Sequence, residues 1–177
     1  MFAVFGHLRE SKRLAPILRA FRQAQRHEPQ IKLLVSGRII SPDYARTIEP
    51  LLATRGVIRL DFLPEPDFWL HVEACDVGIN LRYPSCGESS GIATRLMGMG
   101  KTVLLTAGEE NSLYPEASYI PVEPGASEEE ALADWMLLLA RNRPMVRDIG
   151  ARAANHIRTH NALDAVASEV LRICQSA

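Results

Sequence analysis

The sequence predicts a single α/β domain built on a parallel sheet of about six strands, and three observations lead there. Short apolar runs alternate with longer stretches of helical spacing along the whole chain. That alternation implies crossover connections and a parallel sheet with helices on both faces, a Rossmann-like α/β/α sandwich. One run, TVLLT at 102–106, is apolar almost throughout, as a strand buried on both faces must be. The chain has 177 residues, 47% of them hydrophobic, and no repeat, low-complexity segment or linker that would divide it, so one core over 1–177 suffices.

The elements follow in order. FAVF (2–5) is a strand ending at Gly6, and SKRLAPILRAFRQAQ is a helix with Leu14, Ile17, Leu18 and Phe21 on one face. Ser11 is the expected N-cap, which puts Pro16 early enough to be tolerated. KLLVSG is a second strand ending at Gly37. Ser41 and Pro42 open the next helix, a cap followed by a proline just inside. Strands are expected at 57–63, 76–83, 102–106 and 118–122. Helices are expected over PEPDFWLHVEA and GIATRLMGMG, and then at about 127–141, 144–160 and 162–174.

Bulk composition excludes several classes. The formal charge is −1, with 20 Lys+Arg against 21 Asp+Glu, so neither nucleic acid nor an anionic surface is the expected main partner. No apolar run is long enough to span a membrane, and MFAVFGHLRE lacks the features of a signal peptide. Three cysteines without CxxC spacing suggest reduced thiols and a cytoplasmic location. His156 and His160 stand four apart, a metal-ligand spacing, yet no carboxylate accompanies them on an Arg-rich helix. Solvated histidines are the preferred reading, and no metal or cofactor is expected.

In an open parallel sheet the ligand sits outside the carboxyl ends of the strands, so function belongs to the loops on that edge. GHLRESK brings His7, Arg9 and Lys12 to the rim, with Lys12 where the following helix begins. Amides at a helix start favour anions, although a basic solvated loop reads the same way. YPSCGESSG places Ser89, Ser90 and Gly91 at another helix opening, a cradle for phosphate oxygens or an ordinary cap. Glu88 would repel a diphosphate but accept hydrogen bonds from sugar or ribose hydroxyls. GESSG also matches the G-x-S-x-G hydrolase elbow, with Ser89 as nucleophile and Asp134 or Asp148 and His156 or His160 downstream. Pro84, Ser85 and Cys86 intervene between strand and motif, which the elbow does not allow. The rim carries donors and hydroxyls without a paired acid and base, so it looks like half of an enzyme, and no catalytic residue is assigned.

These stretches together resemble the C-terminal, donor-binding domain of GT-B fold glycosyltransferases, the large family called group 1 or family 4. The resemblance runs through FAVFGHLRESKRLAPILRAF, KLLVSG, IRLDFLPEPDFWLHVEACDVGINLRYPS, GESSGIATRLMGMGKTVLL and NRPMVRDIGARAANHIRTHNALDAVASEVL, in the family's order. It implies a nucleoside-diphosphate sugar across the sheet edge, as substrate, with its diphosphate held by Lys12 and by Ser89, Ser90 and Gly91. His7 stands where an Arg is usual, and the base would rest near Gly37 and the Leu63-Pro64 turn. The family's Glu-x7-Glu is broken: Arg95 takes the second position and Gly87 the first, with Glu88 one place along. Arg95 has donors only; it could bind phosphate or pair with Glu88. The resemblance further implies an absent N-terminal acceptor domain, Met1 being a scar of expression. It also implies peripheral membrane association of the full-length enzyme and an isolated domain that binds without turnover. The rivals are a non-catalytic nucleotide-binding or interaction module, the Ser89 hydrolase and a sugar-nucleotide epimerase.

Overall fold

The computed structural model describes residues 1–176. Six strands form one parallel sheet: β1 (Phe2–Phe5), β2 (Leu33–Ser36), β3 (Val57–Leu60), β4 (Val77–Asn80), β5 (Thr102–Thr106) and β6 (Ile120–Val122). Their spatial order is β3-β2-β1-β4-β5-β6. The chain winds outward from β1 in one direction and from β4 in the other, so the connections after these neighbours diverge. Such a reversal leaves a crevice at the carboxyl edge, between the loops that follow β1 and β4.

Among the described residues six α-helices flank the sheet, α1 (Leu14–His27), α2 (Pro42–Leu52), α3 (Glu65–Glu73), α4 (Gly91–Gly98), α5 (Glu128–Arg141) and α6 (Arg143–His160), and a seventh, α7 (Leu163–Ser176), leans on α6. Because side chains alternate along a strand, the sheet feeds two cores, one on each face. Phe2, Val4, Leu33, Val35, Ile79 and Leu104 face α1, α2 and α5, meeting Ile17, Phe21, Ile48 and Met136. Ala3, Phe5, Leu34, Val103 and Leu105 face α3, α4 and α6, meeting Phe68, Val72, Leu96, Met97 and Ala153. All five residues of β5 are buried, as its sequence requires.

Several boundaries depart from expectation. β3 ends at Leu60 and β4 at Asn80, three residues short of the apolar runs in each case, because the pairing registers end there. β6 begins at Ile120 rather than residue 118. Ser11 does not cap α1: residues Glu10–Lys12 form a 3-10 turn, and Arg13, in the left-handed region at φ 57°, is the cap. Ser41 does cap α2, accepting from the amide of Tyr44 at 3.2 Å.

The left-handed Arg13 is held by charge. Its guanidinium pairs with Glu128 of α5, whose side chain is 1% exposed, and the neighbouring Arg19 pairs with Glu129. These two ion pairs fix α5 against α1 and anchor the segment that follows β1. An Arg–carboxylate fork of this kind is charge-assisted and directional.

Candidate functional site

The loop after β1 and the loop after β4 are drawn together at the point where strand order reverses. The amide of Tyr83 donates to the carbonyl of Ser11 at 2.8 Å, and that of Leu8 to Arg38 at 2.9 Å, so backbone bonds set the crevice walls. Gly37 is obligatory there. Its φ is 146°, and a Cβ would lie 1.7 Å from the Gly6 carbonyl oxygen. Arg59 locks the same turn, donating to the Gly37 carbonyl at 2.6 Å.

Lys12 differs from the rim residue expected of it. Its side chain is buried, 8% exposed, and Nζ donates to Asn80 Oδ1 at 3.1 Å. Asn80 Nδ2 in turn donates to Ser90 Oγ at 2.7 Å. Ser90 is the N-cap of α4, its Oγ accepting from the Ala93 amide at 3.2 Å. A buried lysine from the first loop is thus two hydrogen bonds from the amino end of α4, through an asparagine at the carboxyl end of β4. Burial first, and then nearby Arg82 and Arg9, bring the Lys12 pKa down to about 8, with Glu88 opposing them. A buried ammonium beside two guanidinium groups is an arrangement that an arriving anion relieves.

The first turn of a helix leaves amides without intrahelical acceptors, and Ser90 satisfies that of Ala93. Gly91 is exposed, and a Cβ there would meet nothing within 4 Å, so the backbone at the start of α4 opens onto free space. His7, Arg9 and Ser89 are exposed. Glu88 is exposed as well; it pairs with Arg82 and accepts from the Cys86 amide at 3.2 Å. Its pKa is lowered, first by hydrogen bonding to backbone amides and then by Arg82 and Lys12.

Beside this anion crevice lies a cleft of about 220 Å³, lined by Gly6, Ser36, Gly37, Phe62, Leu63, Phe68 and Arg95 among others. Gly37 and Leu63 therefore share one wall system, with Pro64 immediately beyond as the cap of α3. Arg95 belongs to this cleft rather than to Glu88. Its guanidinium lies over the rings of Phe68 and Trp69, with its Cζ 5.9 and 5.7 Å from their centroids. The apolar floor with a flat cation at its rim suits a planar aromatic group.

The hydrolase constellation does not assemble. Among the described residues no histidine is hydrogen-bonded to Ser89. His156 and His160 stack on each other with centroids 4.5 Å apart, and line a separate hollow with Pro115, Asp148 and Arg152. Among the described residues no group of three or more His, Cys, Asp or Glu side chains could hold a metal, and no helix is long and apolar enough to cross a membrane.

Asn80, Arg82 and the pair Phe68 and Trp69 escaped the sequence reading. The available signal was an asparagine closing VGIN, a strand otherwise built from apolar residues and glycine, where a polar side chain requires a partner.

No family model and no curated protein matches the chain. Solved structures do. The C-terminal domain of a glycosyl transferase group 1 family protein (LpcC) from Francisella tularensis superposes with a TM-score of 0.76 at 17% identity, covering 92% of this chain and 86% of that one. HepE of Anabaena, in complex with UDP and glucose, gives a TM-score of 0.78 at 21% identity, over 99% of this chain but 48% of its own length. A protein assigned as a UDP-N-acetylglucosamine 2-epimerase of Listeria monocytogenes gives 0.68 at 16% identity, with 90% and 43% covered. The chain thus spans between about a third and a half of the longer structures it matches. Its fold is that of the C-terminal domains of GT-B glycosyltransferases.

Proposed function

We propose that this chain is the donor-binding domain of a glycosyltransferase, holding a nucleoside-diphosphate sugar across the carboxyl edge of the sheet. The observation that carries the reading is the Lys12–Asn80–Ser90 relay at the strand-order reversal. It sets a buried cation beside the free start of α4, and both are attracted to the same kind of ligand, an anion with several oxygens.

In this reading the diphosphate lies between Lys12 and the amides around Gly91, with His7, Arg9 and Ser89 at its margin. The base enters the cleft of Gly37, Leu63 and Arg95, beside Pro64. Sugar or ribose hydroxyls are within the province of Glu88, which accepts but cannot donate while ionised. Transfer builds negative charge on the departing diphosphate, and donors fixed before reaction stabilise that charge without reorganising. The crevice supplies this electrostatic part. The acceptor, and the base that activates it, would come from polypeptide beyond this segment, in an enzyme able to work at a cytoplasmic membrane surface. The epimerase neighbour shows why fold alone does not decide the chemistry.

Calorimetric titration with uridine, guanosine and adenosine diphosphates tests the reading. One of them should bind wild type, and Lys12→Ala should weaken it at least about tenfold, the value of a charge-assisted contact. A wild-type chain that binds none is a non-catalytic module, and the proposal fails.

A further inference from the structure

We propose that Arg82 is the second cation of the anion crevice and that Glu88 is its resting counter-ion, displaced when a diphosphate enters. This rests on the reading of the crevice given above but concerns residues outside the Lys12–Asn80–Ser90 relay. Arg82 lies two residues beyond Asn80, its backbone amide fixed to Thr106 Oγ1 at 2.8 Å. Its side chain is 19% exposed, and Nε is buried without an acceptor among the described residues. Buried donors are nearly always satisfied, so an orphaned guanidinium nitrogen marks a group waiting for a partner. Among the described residues only the Nη1 end is engaged, by Glu88.

Glu88 is well placed to leave. Its side chain is 52% exposed, and it follows Gly87, at φ 80°, around which a Cβ would meet nothing within 4 Å. Lys12, Arg9 and Arg82 are close enough that each guanidinium disfavours the lysine charge. Glu110 also lines this hollow, but its carboxylate is folded back against Gly108, so Glu88 is the anion that meets Arg82. A carboxylate held by one guanidinium and one backbone amide occupies a miniature anion site. A diphosphate carries more charge and more oxygens, and would take both donors plus Nε.

Inorganic pyrophosphate and uridine, guanosine and adenosine diphosphates, titrated into the 177-residue chain, test this. Pyrophosphate has no hydroxyls or base, so it isolates the anion contacts. Arg82→Gln should bind it at least about tenfold more weakly. Glu88→Gln should bind it about two- to fivefold more tightly, because the competing carboxylate is gone, and the double variant should show no such gain. A Glu88→Gln protein with unchanged or weaker pyrophosphate affinity overturns the proposal, as does an Arg82→Gln protein that binds like wild type while Lys12→Ala does not. Should Arg82→Gln misfold, the exposed Glu88→Gln change decides alone. If none of uridine, guanosine and adenosine diphosphate binds better than pyrophosphate, the nucleotide reading loses support while the pyrophosphate series still judges Arg82 and Glu88. Wild type that binds none of these ligands overturns both.

Discussion

Replacing Lys12 by methionine should move stability and affinity in ways that a surface lysine could not. The folded protein holds the Lys12 pKa at about 8 against 10.5 for an ordinary lysine, chiefly through burial. At about 1.4 kcal/mol per pH unit this is about 3.5 kcal/mol, spent in the folded state to keep the charge below pH 8. The folded pKa is the lower one, so between pH 8 and 10.5 the unfolded chain binds more protons, and the lysine's penalty disappears as pH rises. Methionine carries no such penalty, but it leaves Asn80 Oδ1 without its donor, a loss of about 1–3 kcal/mol. The two effects nearly offset at neutral pH. Their pH dependence does not: the stability of Lys12→Met relative to wild type should fall by about 2–3 kcal/mol between pH 7 and pH 10. Cys75, whose buried thiol is pushed up from 9.0 to about 11, erodes stability as pH rises above about 9 in both proteins and cancels in the difference. Urea unfolding followed by the fluorescence of Trp69 and Trp135 gives the two curves. A difference that stays constant from pH 7 to 10 would refute the buried, charged lysine.

Further consequences follow from other contacts. Gly37→Ala drives a Cβ into the Gly6 carbonyl and should cost at least about 2 kcal/mol in denaturant unfolding. Arg13→Ala strands the buried Glu128 carboxylate and should cost about 3–5 kcal/mol, whereas removing both partners together should cost less, which a double-mutant cycle reads. Ser90→Ala removes a helix cap and a relay member; about 1 kcal/mol of stability should go, together with diphosphate affinity in calorimetry. Arg95→Ala should weaken a nucleoside diphosphate severalfold and leave pyrophosphate binding unchanged, since the cation–π shelf serves the base cleft alone.

The sheet was legible because its strands write themselves as apolar runs: TVLLT and FAVF have no solvated face to disguise them. The start of α1 was not, because Ser11 looks like a cap while the chain makes a 3-10 turn first. Pro16, tolerated only in the first turn of a helix, was the better boundary signal, and it sits at the third residue of α1. Lys12 stands out in the sequence as a cation of the first loop, but its burial was invisible, since lysines default to solvent and only a tertiary partner reverses that. That partner, Asn80, is 68 positions away, and no local pattern links the two. Arg95 was legible as an anomaly and not as a place, because its aromatic shelf comes from α3.

In the function proposed above, one crevice, between Lys12 and the amino end of α4, receives the diphosphate. Titrating the ¹⁵N-labelled chain with uridine, guanosine and adenosine diphosphates, while following every backbone amide, tests it most directly. The nucleotide that binds should cause its largest shifts at Gly91 and Ile92, with Gly6 and Gly37 moving in step. Shifts confined to the opposite edge of the sheet, or none with any of the three, would contradict it.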